Sequence, residues 1–238
     1  MAIVERTVEY REGGVLLEGL LCRDEARPGP QPAVLISHAW AGRDEFVARK
    51  ARRLAWHGYA AFCLDMYGKG VRGHSPAENT ALMMPFVQDR ALLARRMHAA
   101  LAALRAQPGI DGGRIAAMGF CFGGLCVLDL ARSGADVRGV ISFHGLLKGS
   151  GLPAAPVQAR VLALHGYDDP LAPPDDVLTF AREFTAAKAD WQLHAYGNTV
   201  HAFTNPEATD ASGGLLYSDR ADRRSWHSLL QFLDEVLR

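Results

Sequence analysis

Short continuous apolar runs alternate along this chain with longer stretches whose apolar residues recur every three or four positions. Over residues 3–10, Val4, Arg6, Val8 and Tyr10 alternate with their neighbours, Gly13-Gly14 supplies a turn, and Val15 to Leu21 returns. That pattern predicts an N-terminal antiparallel hairpin. Ala33 to Ser37, Ala60 to Leu64, the run opening at Ile115, Val140 to Phe143 and Val161 to Leu164 are apolar throughout, as expected of strands covered on both faces. Trp191, Leu193 and Ala195 predict a last strand. Between these runs lie helical patterns. One follows Asp44, a capping residue, and stops at Gly58; another spans about 86–106, with Leu93, Met97, Ala100, Leu101 and Leu104 on one stripe, Arg95 and Arg96 off it, and Pro108-Gly109 ending it. A third has Asp175 as its cap and Val177, Phe180, Ala181 and Phe184 on one face. Trp226, Leu229, Leu230, Leu233 and Val236 form a closing amphipathic helix. Residues 65–80, with three glycines and Pro76, and residues 145–158 read as long loops.

Buried strands alternating with helices specify an α/β fold, a mostly parallel sheet with helices on both faces. In such sheets the ligand site lies beyond the carboxyl ends of the strands. Residues 1–238 are read as one domain, and the 49% apolar content is ample for its core.

The Ile115 run ends in Gly119-Phe120-Cys121-Phe122-Gly123-Gly124. Gly-x-Cys-x-Gly between a strand and a helix is the nucleophile-elbow pattern with sulfur in place of oxygen. The bend demands strained backbone, and the flanking glycines remove the Cβ atoms that would collide there. Cys121 then stands at the start of a helix, whose free N–H groups favour thiolate and, later, an oxyanion. Beyond two further strands come His165-Gly166-Tyr167-Asp168-Asp169 and Gly197-Asn198-Thr199-Val200-His201-Ala202-Phe203. A nucleophile, an acid and a histidine thus fall in loops at one sheet edge, in the chain order of α/β-hydrolases. His201 takes the role of base, and an aspartate that of the group orienting its ring. Spacing alone leaves Asp168 and Asp169 equivalent. The backbone N–H groups of Phe122 and of the loop at Trp40 are the candidate oxyanion donors. His165 reads as a strand-end hydrogen bonder, Cys126 as core, and His38 as structural or pocket-lining.

Charge and cysteine content narrow the field. Lys plus Arg and Asp plus Glu number 26 each, without a basic or acidic block, so neither nucleic acid nor an anionic membrane surface is an expected partner. No apolar run approaches the roughly 18 residues of a membrane span, and the segment 1–6 has no signal-peptide core, so a cytoplasmic location is expected. The four cysteines are scattered and no Cys-x-x-Cys occurs, which predicts reduced thiols and no zinc site.

At these motifs the chain resembles the dienelactone hydrolase family of the α/β-hydrolase fold, over nearly its whole length. The resemblance rests on His38 to Gly42, Leu64-Asp65-Met66-Tyr67-Gly68, Gly119 to Gly124, Gly166 to Asp169, and His201-Ala202-Phe203. It implies a cysteine hydrolase of carboxymethylenebutenolidase type, cleaving an ester or lactone through a thioester on Cys121, with no metal or organic cofactor. It selects Asp169 as the acid, three residues beyond the loop glycine. It also places His38, Tyr67, Lys69 and Phe203 in the substrate-binding set, Lys69 as part of a carboxylate site. The implied partner is a small ester or lactone, and the implied assembly a monomer or homodimer. Two positions depart from the family pattern. Ala39 replaces a glutamate carried by many members beside the nucleophile, and Thr204-Asn205 stand where the dienelactone enzymes have a substrate-binding arginine. Acyl transfer or thioester hydrolysis by the same triad, and a non-catalytic small-molecule-binding role, are the competing expectations.

Overall fold

The computed structural model describes residues 2–153 and 155–238; the parts of the 1–6 and 145–158 segments that fall on residues 1 and 154 lie outside the described residues. Its principal strands are β1 (Ile3–Glu12), β2 (Val15–Asp24), β3 (Gln31–Ser37), β4 (Ala60–Cys63), β5 (Ile110–Phe120), β6 (Gly139–Phe143), β7 (Arg160–Gly166) and β8 (Trp191–Tyr196). They form one eight-stranded sheet in the order β1-β2-β4-β3-β5-β6-β7-β8. The β1–β2 hairpin pairs antiparallel with itself and with β4, and every pairing from β4 to β8 is parallel. β5, which leads into Cys121, is thus a central strand flanked by β3 and β6.

The helices are α1 (Glu45–Trp56), α2 (Pro76–Gln88), α3 (Arg90–Arg105), α4 (Phe122–Arg132), α5 (Pro174–Ala186) and α6 (Asp219–Leu237). The continuous apolar strands are explained by two cores. Ala33 and Leu35 of β3 face one core with α3, α4 and α5, while Val34 and Ile36 face the other with α1 and α6. A strand with helices on both faces must be apolar at every position.

Several boundaries differ from the sequence expectation, each for a local reason. The second half of the 65–80 loop is the start of α2, where the Ser75 hydroxyl accepts from the Glu78 N–H at 3.3 Å and Glu78 accepts from the His74 N–H at 2.8 Å. This is a variant of the capping box in which Glu78 reaches one residue past the Ser75 cap, with Pro76 in the first turn, and it outweighs the lack of apolar periodicity. The expected 86–106 helix begins at Arg90, because the Asp89 side chain accepts from the Leu92 N–H at 2.8 Å and caps a new helix there. Arg96 is buried, not surface-facing, and donates to the Met66 carbonyl at 2.9 Å. α5 is capped by Pro173, with Asp175 in its first turn. A small hairpin of β9 (Thr209–Asp210) and β10 (Leu215–Leu216) was not expected; two-residue strands carry no periodicity to read. Among the described residues, no helix is long and apolar enough to cross a membrane.

At the bend between β5 and α4 the chain approaches itself more closely than any side chain permits. A Cβ on Gly119 would lie 2.0 Å from the Gly123 carbonyl oxygen, and one on Gly123 would lie 2.3 Å from the Ser37 carbonyl oxygen at the end of β3. Gly119→Ala should therefore cost about 1–3 kcal/mol or more, as overpacking of a rigid backbone contact does. Urea denaturation measures this; unchanged stability would mean that the bend yields freely.

Candidate active site

Cys121 occupies the bend with φ 56° and ψ −117°, a left-handed conformation unusual for a residue with a side chain. Its N–H donates to the Phe143 carbonyl of β6 at 3.0 Å, and its carbonyl accepts from Gly124 and Leu125 as α4 begins. The sulfur is free and half-buried. Among the described residues, neither the Phe122 N–H nor the Trp40 N–H has a hydrogen-bond acceptor. The two belong to segments in contact, because the Gly123 position abuts the Ser37 and His38 carbonyls. Both N–H groups are thus unspent donors in segments that meet at the elbow.

His201 and Asp169 come from the loops after β8 and β7. His201 Nδ1 and Asp169 Oδ2 are 2.7 Å apart with both side chains buried, and the other carboxylate oxygen accepts from the Leu171 N–H at 2.8 Å. Asp168 instead accepts from the Thr199 N–H at 3.1 Å, which steadies the loop that carries His201. The β9–β10 hairpin clamps that loop from its other side: the His201 N–H donates to the Gly214 carbonyl, and the Leu216 N–H to the His201 carbonyl. His201 Nε2 interacts with the Cys121 sulfur but lies off the geometry of an ordinary hydrogen bond. Burial opposes charge on His201. The Cys121 sulfur and the Asp169 hydrogen bond outweigh it, and the pKa is raised to about 10.

Of the four residues assigned to substrate binding from sequence, two are buried and one is held in ion pairs. His38 is fully buried, with Nδ1 2.6 Å from the Ala39 carbonyl oxygen and Nε2 accepting from the Met66 N–H at 3.2 Å, so neither nitrogen is left for a ligand. Phe203 is fully buried too, edge-on to His144 and Tyr196. Lys69 is exposed and pairs with Glu9 and, at 3.5 Å, with Glu18. Its charge is neutralised on the hairpin side. Tyr67 remains at the site: it is half-buried, stacks on Phe122 at 6.2 Å and donates its hydroxyl to the Trp40 carbonyl at 2.8 Å. Phe86 of α2 packs against both rings. The cavities beside α5 and α6, about 400 and 360 Å³, have neither Cys121 nor His201 in their lining.

The sequence reading missed His144. It follows β6 at the same sheet edge, has φ 36°, is buried, and presents its ring edge-on to His201 with centroids 5.1 Å apart. Its Nε2 meets the Thr204 hydroxyl at 2.8 Å. Burial, then the charges of His201 and Lys50, hold its pKa well below the usual histidine value, so it stays neutral beside His201. The signal was its place directly after a buried strand, as for His165. That residue is also buried, but among the described residues its ring nitrogens have no partner, so it is not the hydrogen bonder expected. No cluster of three or more metal-ligating side chains occurs among the described residues.

A parallel sheet with a strained cysteine elbow at its centre is an α/β-hydrolase fold, and comparison with known proteins narrows the class. The family model "Dienelactone hydrolase family" matches residues 17–237, and the chain belongs to that family. The chain is similar to the crystal structure of a dienelactone hydrolase-like promiscuous phosphotriesterase from metagenomic libraries, with a TM-score of 0.93 and 37% identity over 100% of both chains. An uncharacterised Caenorhabditis elegans protein is 39% identical over 145 residues, 59% of this chain and 92% of its own. A Yersinia pestis protein provisionally named a carboxymethylenebutenolidase is 29% identical over 79% of this chain and 74% of its own.

The raised His201 pKa has a measurable consequence. The folded value exceeds the unfolded one of about 6.5, so the stability it contributes is full below pH 6.5 and lost as pH rises through about 10. Cys121→Ala removes the largest raising influence and should move the His201 titration down, as read by ¹⁵N NMR; an unmoved titration would separate the two side chains. Adding a carboxylate by Ala39→Glu to the segment that abuts the first turn of α4 should slow alkylation of Cys121 by iodoacetamide, followed by mass spectrometry from about pH 5 to 9.

Proposed function

We propose that this protein is a cysteine-dependent hydrolase of carboxylic esters or lactones. The observation that carries the reading is the buried Asp169–His201 pair, 2.7 Å across, at the same sheet edge as the elbow cysteine, whose sulfur acts to raise the His201 pKa. The Cys121 thiol gives up its proton to His201 as the sulfur attacks the ester carbonyl carbon, and the carbonyl oxygen becomes an oxyanion facing the Trp40 and Phe122 N–H groups. The C–O bond then breaks, and His201 gives the leaving alkoxide its proton. His201 next takes a proton from water, which attacks the thioester carbon; the C–S bond breaks, the acid leaves, and His201 returns the proton to the Cys121 sulfur. Asp169 holds the tautomer and the charge of the ring throughout.

The charges around the site bear on the substrate class. Lys69 is committed to Glu9 and Glu18, and position 205 is asparagine, so neither of these two positions offers a free cation to a substrate carboxylate. The wall nearest the elbow is aromatic, made of Tyr67, Phe86 and Phe122. Neutral esters and lactones suit this surface, because a carboxylate taken from water without a partner is costly. A second reaction, phosphotriester hydrolysis by the same cysteine, is favoured by the full-length likeness to a promiscuous phosphotriesterase.

A panel of p-nitrophenyl esters, lactones and a p-nitrophenyl phosphotriester tests both readings. Cys121→Ala should abolish turnover, and His201→Ala should lower kcat on the order of 10³-fold or more. Folding should survive both. Ester turnover at the wild-type rate in Cys121→Ala would remove the proposal. Transfer to an added alcohol in place of water would make the protein an acyltransferase.

Neutral substrates should be preferred over carboxylated ones, and Lys69→Ala should leave that preference in place. A preference for carboxylated lactones that disappears in Lys69→Ala would show the ammonium swinging from its glutamates into the site.

A further inference from the structure

We infer that His38 is a positioning residue for the oxyanion site, acting through the Ala39–Trp40 peptide. The inference rests on the proposed acyl chemistry and adds to it a role for a residue that no substrate touches. The hydrogen bonds fix the tautomer of His38 without further assumption. A carbonyl oxygen only accepts, so Nδ1, 2.6 Å from Ala39 O, carries the proton; the Met66 N–H only donates, so Nε2, 3.2 Å away, is bare. The ring is neutral and fully buried, and burial lowers its pKa.

The Ala39 carbonyl belongs to the same peptide as the Trp40 N–H. No cis peptide bond occurs among the described residues, and in a planar trans peptide the C=O and N–H point in opposite directions. Ala39 O is pinned by His38 Nδ1 and, at 3.3 Å, by the Gly42 N–H. Fixing the oxygen aims the Trp40 N–H, which has no acceptor of its own, away from the ring. The next peptide is held as well, by the Tyr67 hydroxyl on the Trp40 carbonyl at 2.8 Å. A hydrogen bond received by a carbonyl also makes the N–H of that peptide a stronger donor, by some 10–30% per bond. The sequence Met66 N–H, His38 ring, Ala39 carbonyl, Trp40 N–H is thus a chain of aligned dipoles ending on the site where the oxyanion forms. Arg96 anchors its far end through the Met66 carbonyl at 2.9 Å.

The test separates this role from a general structural one. His38→Phe keeps a ring but removes both hydrogen bonds; His38→Gln has an amide N–H for the Ala39 carbonyl and an oxygen for the Met66 N–H. With a p-nitrophenyl ester, His38→Phe should lower kcat on the order of 10- to 100-fold with KM within about twofold, and His38→Gln should recover most of the loss. Alkylation of Cys121 by iodoacetamide develops no oxyanion and should proceed at the wild-type rate in both variants. Equal slowing of alkylation and ester turnover in His38→Phe, or a His38→Gln variant no better than the phenylalanine one, would overturn the inference. In the wild-type protein, ¹⁵N NMR should find His38 protonated at Nδ1 and bare at Nε2, and the opposite tautomer would sink the inference even if His38→Phe fails to fold. Undiminished turnover in Cys121→Ala defeats the acyl-enzyme reading itself. Cys121-dependent turnover that is indifferent to His38→Phe defeats only the role of His38.

Discussion

The close passage of β5, α4 and the end of β3 is the constraint on which the rest of this structure depends. With no Cβ at positions 119 and 123, three backbones come within van der Waals contact, and the residue between them is forced to φ 56°. That single backbone conformation projects Cys121 from the middle of the sheet edge and starts α4 directly behind it. It also brings the Ser37–His38 segment, which leads into Trp40, against the first turn of α4. Strain of about 1–3 kcal/mol at such a residue persists only where the surroundings over-determine it. Here they do, since the Cys121 N–H is tied to β6 and both glycines are wedged against carbonyl groups.

The second half of the site is held differently, by a buried charge pair. A buried carboxylate and imidazole are costly unless they are paired and each carboxylate oxygen is hydrogen-bonded. Asp169 meets this condition with the His201 ring on one oxygen and the Leu171 N–H on the other. His201 is left with one unspent nitrogen, Nε2. Neutral His144 fills the space behind the ring without competing for charge. The β9–β10 hairpin and Asp168 fix the histidine loop from two sides, so the base is placed by backbone hydrogen bonds and not by its own side chain alone.

What the sequence disclosed and what it hid follow from the range of the forces involved. The parallel sheet was legible because two-sided burial leaves continuous apolar runs, and the elbow because Gly119 and Gly123 answer a steric demand that only glycine meets. Asp44 at α1 was legible as a cap for the same local reason. α2 was hidden because its signal is the Ser75–Glu78 box and not a stripe. The split at Asp89 was lost under a Leu/Ala pattern that runs past it. Residues whose roles depend on long-range geometry were misplaced. His38, Lys69 and Phe203 lie in the right segments for substrate contact, yet two are buried and the third is held by glutamates on the two strands of the N-terminal hairpin. His144 carried no motif, and only the sheet order brings it to His201.

The central claim is that the strained cysteine becomes acylated. Rapid quenching of the protein in acid, milliseconds after mixing with a p-nitrophenyl ester, followed by intact-mass analysis and peptide mapping, tests this directly. The account predicts a mass increase equal to the acyl group, carried as a thioester on the peptide containing Cys121 and decaying at the rate of deacylation. An acyl group found on a serine or lysine, or catalytic turnover with no adduct at Cys121 even in a His201→Ala variant slowed in deacylation, would contradict it.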